Sequence, residues 1–100
     1  MKIKYLVGIH QDNDGLYSID VPGVPNHYSS GDNFADAMYM AKSLVFDMVM
    51  FWMQEDAEPV FQNECTIDVA NETEGTVFIM VAVNTEDVQS FINTFKKGVD

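Results

Sequence analysis

Asp12, Asp14 and Asp32 are the residues of this chain best placed to do chemistry, because each falls in a stretch of turn formers where carboxylates converge. Three carboxylates meeting at strand ends can hold a divalent cation or work as an acid/base pair in a metal-dependent hydrolase. Aspartate and asparagine also dominate turns and helix caps through local hydrogen bonds, and that reading accounts for all three. The remaining candidates are scattered. His10 and His27 have neither HxH nor HExxH spacing and read as surface or hairpin residues. Ser18, Ser29, Ser30, Ser43 and Ser90 lack a GxSxG context, and Gly8, Gly15, Gly23 and Gly31 are spread over turns and strands rather than gathered in a phosphate loop. Cys65 is the single cysteine, so no internal disulfide and no CxxC metal site exist, and it reads as inert. The expectation is a protein without catalytic residues, metal ligands or cofactor.

Charge narrows the classes further. All five cationic side chains are lysines, set against 16 Asp plus Glu, for a net charge of −11. Nucleic-acid binders neutralise phosphates with clustered Lys and Arg, and base reading favours Arg, so direct nucleic-acid binding is not expected. The same acidity attracts a basic protein partner and raises its association rate, or simply keeps a Met- and aromatic-rich chain in solution. There is no secretory n-region. The longest apolar run, Ser43 to Met53, is interrupted by Asp47 and is about half of what a bilayer span needs, so no membrane partner is expected. A lone cysteine fits a reducing cytoplasm.

The elements that must position these groups follow from periodicity. Lys2 to His10 alternates, with Ile3, Tyr5, Val7 and Ile9 on one face, which predicts a half-buried strand. Turn formers from Gln11 to Gly15 lead into a second strand, Leu16 to Val21, and so into a β-hairpin. Two prolines in Pro22 to Asn26 break the ladder, and His27 to Ser30 is expected to be a short third strand. Asp32 or Asn33 then caps a helix from Phe34 to about Met53, with Asp36 in its first turn. Phe34, Met38, Ala41, Val45, Met48 and Trp52 form one seam along it, while Met40, Phe46, Met50 and Phe51 point elsewhere. A helix apolar over most of its circumference needs cover on more than one side. Those four residues are therefore expected to meet a second protomer, another part of the chain, or a partner. Five of the seven methionines lie on this helix, a composition that suits adaptable interfaces as well as cores.

After Glu55 to Pro59 comes a polar stretch, with a short strand expected at Thr66–Val69. The apolar run Thr76 to Val83 predicts a strand at the centre of the sheet. Asn84 or Thr85 caps a last helix striped with Val88, Phe91, Ile92 and Phe95. The fold class is α+β: a small sheet of three to four strands with one long and one C-terminal helix, in the order β-β-β-α-β-α. Residues 1–100 read as one domain, with 47% apolar residues to build its core.

The stretch Ile9 to Phe61 resembles the HicB-like antitoxins. Their N-terminal domain commonly runs from a strand through an acidic D-x-D-G-x-Y hairpin to a second strand ending in a P-x-x-P-type turn. A short strand, a G-D-T-x-x-E-A-x-x-x-A-K helix start and a D-G-x-x-x-P exit follow. Here the corresponding segments are Asp12-Asn13-Asp14-Gly15-Leu16-Tyr17, Val21-Pro22-Gly23-Val24-Pro25, Ser30 to Ala37, Ala41-Lys42 and Glu55 to Pro59, with Thr76–Val83 resembling the family's final strand. The resemblance implies a partial ribonuclease-H-like fold without a working nuclease site. It also implies a function: binding and neutralising a small basic toxin, double-stranded-RNA-binding-like and mRNA-cleaving, by protein–protein contact that occludes its catalytic histidine. Asp12, Asp14, Asp32 and Asp36 are expected to steer such a partner, with Tyr17 and Tyr28 supplying contact area. There are three departures. Asp32-Asn33-Phe34 replaces Asp-Thr-Leu. Ala57 stands where the exit turn usually has glycine, which implies a different turn geometry. Asn84 to Asp100 is too short for the DNA-binding module that usually follows, so autorepression by direct DNA binding is not expected, and self-association would have to use the sheet edge or the helices. The alternative is a homo-oligomeric structural or interaction protein with no toxin partner.

Overall fold

The computed structural model describes residues 1–24, 26–58, 60, 62 and 75–99. Cys65 and the strand expected at Thr66–Val69 lie outside them. The chain begins with β1, Lys2–Gln11, in which Ile3, Tyr5, Val7 and Ile9 are all buried on one face, as the alternation predicts. A turn closes at Gly15, whose φ of 88° suits glycine, and Asp12 anchors it by accepting from the Gly15 N–H at 3.0 Å and donating to Leu16 O at 2.7 Å. β2, Tyr17–Asp20, and β3, Tyr28–Gly31, follow. Helix α1 spans Phe34–Gln54, β4 spans Thr76–Asn84 and helix α2 spans Thr85–Val99. The four described strands are ordered β3-β2-β1-β4, every pairing antiparallel. Both helices pack on the face that carries Ile3, Tyr5, Val7, Ile9, Ile19, Val81 and Val83, and Val88 and Ile92 of α2 join that core.

Two expectations need correction. Among the described strands β4 is outermost, not central: it pairs with β1 from Thr76 to Asn84, and β1 holds the inner position between β2 and β4. A continuous apolar run reports strand propensity, not where the strand sits in the order, and Val77 and Met80 are exposed here. The helix seam is also rotated at its start. Ala37 is fully buried, whereas Phe34 is exposed and Met38 only half-buried. The reason is Gly31, where an added Cβ would lie 2.6 Å from Ala37 N and 2.7 Å from Ala37 Cα. Strand and helix approach so closely there that only a small residue fits beneath. Finally, the α1 exit keeps the hydrogen bonds of a Schellman motif, with Ala57 N–H donating to Trp52 O at 2.9 Å and Asp56 N–H to Met53 O at 3.4 Å. The left-handed residue is Asp56, at φ 53°, so Ala57 does not stand at the position that favours glycine.

The N-terminal half of β1 extends beyond β2, which pairs only with Gly8 to Gln11. At that edge, which no described strand pairs, a side chain takes over: Gln62 accepts from Leu6 N–H at 2.7 Å, donates to Leu6 O at 2.7 Å and donates to Pro22 O at 2.8 Å. One carboxamide thus reproduces the paired bonds of a neighbouring strand. Beside it, Tyr5 OH donates to Val60 O at 2.9 Å, and burial pushes the Tyr5 phenol up to about 12.

Candidate functional site

The structure gathers the four expected steering carboxylates at one end of the sheet. Register sets Gln11, Tyr17 and Gly31 side by side, so the turn after β1 and the start of α1 stand about 10 Å apart, two strand spacings. Asp12 and Asp14 occupy the turn, while Asp32 and Asp36 flank the helix start. Three of the four carboxylates have a local task. Asp12 Oδ2 accepts from Ser18 OH at 2.6 Å and Asp14 Oδ1 from Leu16 N–H at 3.0 Å. Asn33, not Asp32, is the N-cap. Its Oδ1 accepts from Asp36 N–H at 2.8 Å, and Asp36 Oδ2 accepts from the N–H of Asp32, one residue before the cap, at 3.0 Å. The two bonds satisfy one free amide of the first turn and the amide just before the cap, and they set a carboxylate against the positive end of the helix dipole. Tyr17 fixes this end to the helix by meeting the Phe34 ring edge-on at 5.9 Å.

Tyr28 is not brought to this end. It lies at the far end of β3, on the sheet face away from the helices, and is 70% exposed. Its cross-strand partner there is Asp20, whose carboxyl reaches over Gly8; partial burial raises its pKa above the ordinary carboxylate value, opposed by a hydrogen bond from its own backbone N–H. Nothing in the strand pattern singled out Asp20, because an exposed aspartate at a strand end reads as a turn residue.

Of the four helix residues left over by the seam, Met40, Phe46 and Met50 are half-buried against the core, and only Phe51 is exposed, at 54%. Phe46 is met edge-on by Phe91 of α2 at 5.5 Å, so part of the surplus apolar face is covered within this chain. His10 lies exposed beside Thr76, with Nδ1 3.4 Å from Oγ1, and His27 packs against Trp52 at 6.0 Å. Asp12, Asp14 and Asp32 do not come together as ligands: among the described residues no three His, Cys, Asp or Glu side chains are grouped to hold a metal ion. No helix among the described residues is long and apolar enough to cross a membrane. The arrangement offers binding chemistry: exposed charge at one end, an exposed tyrosine on the open sheet face, and hydrogen-bonding groups already engaged in the fold.

Comparison with known proteins agrees with the fold. No curated protein sequence matches the chain. Among solved structures, the antitoxin HicB of Burkholderia pseudomallei superposes with a TM-score of 0.67 at 19% identity, over 82% of this chain and 64% of that one. This chain therefore spans less than two thirds of that antitoxin's length. The separately solved N-terminal domain of the same antitoxin gives 0.67 and 19% over 82% of this chain and 99% of the domain. A chain of a toxin–antitoxin complex from Streptococcus pneumoniae gives 0.66 and 15%, over 91% of this chain and 73% of that one. A family model described as HicB_like antitoxin of bacterial toxin-antitoxin system matches residues 5–96, and the chain belongs to that family.

Proposed function

We propose that this protein is an antitoxin that neutralises a small, basic, mRNA-cleaving toxin by protein–protein contact, without catalysis or cofactor. The observation that carries the reading is the acidic end of the sheet. Asp12, Asp14, Asp32 and Asp36 converge there from two elements, in a chain of net charge −11. Family membership supports the regulatory role, and the Streptococcus pneumoniae neighbour comes from a complex of toxin with antitoxin. Like-signed carboxylates on one surface raise the encounter rate of a cationic partner by long-range attraction, and salt weakens that attraction. Tyr17 and Tyr28 and the exposed Phe51 would add contact area, from different faces, so a partner touching all three would have to wrap the sheet edge. The protein acts in the cytoplasm, where its target would be made.

The test uses any small basic protein encoded beside this chain and measures association by stopped-flow at low and moderate salt. Replacing Asp12, Asp14, Asp32 and Asp36 by Asn keeps every side-chain acceptor but removes four charges. The expected result is a stable complex whose association rate falls roughly tenfold in the variant at low salt and converges with the parent at high salt. Failure of the parent to bind, or an association rate indifferent to the four charges, would overturn the reading.

A further inference from the structure

A groove of roughly 340 Å³ lies where the end of α1 meets the starts of β1 and α2, and Ile3, Val49, Trp52, Met53 and Asp56 are among the residues that line it. Trp52 is buried there, whereas Met53 is half-buried and packs against the same core. The seven methionines of the chain divide by exposure. Met1 and Met80 are exposed, Met48 is buried, and Met38, Met40, Met50 and Met53 are half-buried against the core. An exposed thioether is reached by a dissolved oxidant but supports little packing, and a buried one supports much but is not reached. Met53 meets both conditions: it belongs to the core packing, and the groove opens it to a molecule as small as a peroxide.

We propose that Met53 is an oxidation site, at which a peroxide converts the thioether to a sulfoxide and loosens the end of α1. The sulfur gives an electron pair to one oxygen of hydrogen peroxide and the O–O bond breaks. The departing oxygen takes the proton of the transferred one and leaves as water, so sulfur is oxidised and the peroxide reduced. A thiol-dependent sulfoxide reductase reverses the step, oxidising two thiols to a disulfide and releasing water. The new oxygen is a hydrogen-bond acceptor set beside Ile3 and Val49, whose side chains donate nothing, and beside the Asp56 carboxylate, itself an acceptor. Reaching water draws the Met53 side chain out of the groove and away from Trp52, whose ring meets those of Tyr5 and His27 at 6.0 Å. The Trp52 and Met53 carbonyls accept the bonds that close the helix, so the turn disturbed is the one that fixes the exit of α1. The proposal concerns the fold and is independent of the toxin reading.

The experiment treats the purified chain with hydrogen peroxide, follows each methionine by peptide mass spectrometry and measures the urea midpoint by far-ultraviolet circular dichroism. Met1 and Met80 should oxidise first without moving the midpoint, and Met53 well ahead of Met48. The midpoint should fall by roughly 1 M in step with the Met53 sulfoxide, and a thiol-dependent sulfoxide reductase should restore it. Met53→Leu keeps the volume and the apolar contact without the sulfur, so its midpoint should hold under the same treatment. Met53 sulfoxide forming no faster than that of Met48 would overturn the proposal, as would a midpoint indifferent to it; both are read on the parent chain. A Met53→Leu chain that loses as much as the parent would overturn it too.

Discussion

Gln62 is the residue whose loss the fold should feel most sharply for a side chain that is neither core nor turn. Its carboxamide makes three hydrogen bonds of 2.7, 2.7 and 2.8 Å to Leu6 N, Leu6 O and Pro22 O, in a partly buried position where no described strand pairs with β1 on that side. Gln62→Leu preserves the bulk and removes all three. A net hydrogen bond contributes about 1 kcal/mol, so the loss is about 3 kcal/mol if water cannot follow and nearer 2 if it reaches one of the freed groups. For a domain of this size that lowers the melting temperature by roughly 10–20 °C. Urea unfolding followed by the fluorescence of Trp52, the single tryptophan, reads the change directly, since Trp52 packs against Tyr5 next to this edge. Gln62→Glu separates hydrogen bonding from bulk. Its carboxylate still accepts from Leu6 N–H but faces two carbonyl oxygens, so the charged form is disfavoured in the folded chain and its folded pKa lies above the unfolded one. The variant should thus be least stable at neutral pH and recover as pH falls through that raised pKa and the acid can donate. A change below about 0.5 kcal/mol in Gln62→Leu, with the Leu6 amide still protected from exchange, would refute the strand-substitute reasoning.

Gly31→Ala should cost about 3 kcal/mol, because the new methyl group meets the Ala37 backbone and the whole of α1 must shift to admit it; an unchanged thermal melt would contradict the close approach. Asp56→Gly should stabilise by about 1 kcal/mol, since it relieves a left-handed residue in the Schellman position and removes a carboxylate from the negative end of α1, whereas Ala57→Gly should bring no such gain in a urea midpoint. Tyr5, held protonated by burial to about 12, makes the folded state bind one more proton than the unfolded state above pH 10; stability is present below that and is lost as pH rises toward 12. Absorbance titration should show one of the four phenols ionising only with unfolding, and Tyr5→Phe should remove that component.

How much of this was legible in the sequence depended on whether the signal was local. The period-two run of β1, the Gly15 turn and the Asn33 cap with Asp36 three residues on are short-range patterns, and each appears where the spacing puts it. What failed depended on contacts distant in sequence. Met38 was placed in the core seam by helical spacing alone, yet β3 presses on α1 at Gly31 and admits only Ala37. The position of β4 beside β1 is fixed by pairing across more than sixty residues, which no local pattern encodes. Gln62 falls in a polar stretch that reads as loop, and its role exists only because β2 is too short to reach Leu6. The same limit applies to the candidate binding residues. The turn and the helix start could each be located, but that they share one end of the sheet follows from the Gln11, Tyr17, Gly31 register, and that Tyr28 faces the opposite side follows from its pairing with Asp20.

The acidic residues at that end bear on a choice that sequence reading treats as exclusive: a turn-forming or capping aspartate on one hand, a partner-steering aspartate on the other. The geometry removes the opposition. A carboxylate has two oxygens and about four acceptor sites, and a neutral donor leaves its charge in place. Asp12 uses Oδ2 for Ser18, Asp14 uses Oδ1 for Leu16 and Asp36 uses Oδ2 for the Asp32 amide, so each secures the fold with one oxygen while its field still extends over the surface. The local bonds also hold these side chains in place, which lowers the entropy lost when a partner orders them. Turn and cap chemistry is therefore what concentrates negative charge at this end of the sheet, and asparagine, which satisfies the same amides and hydroxyl without charge, is the substitution that separates folding from binding.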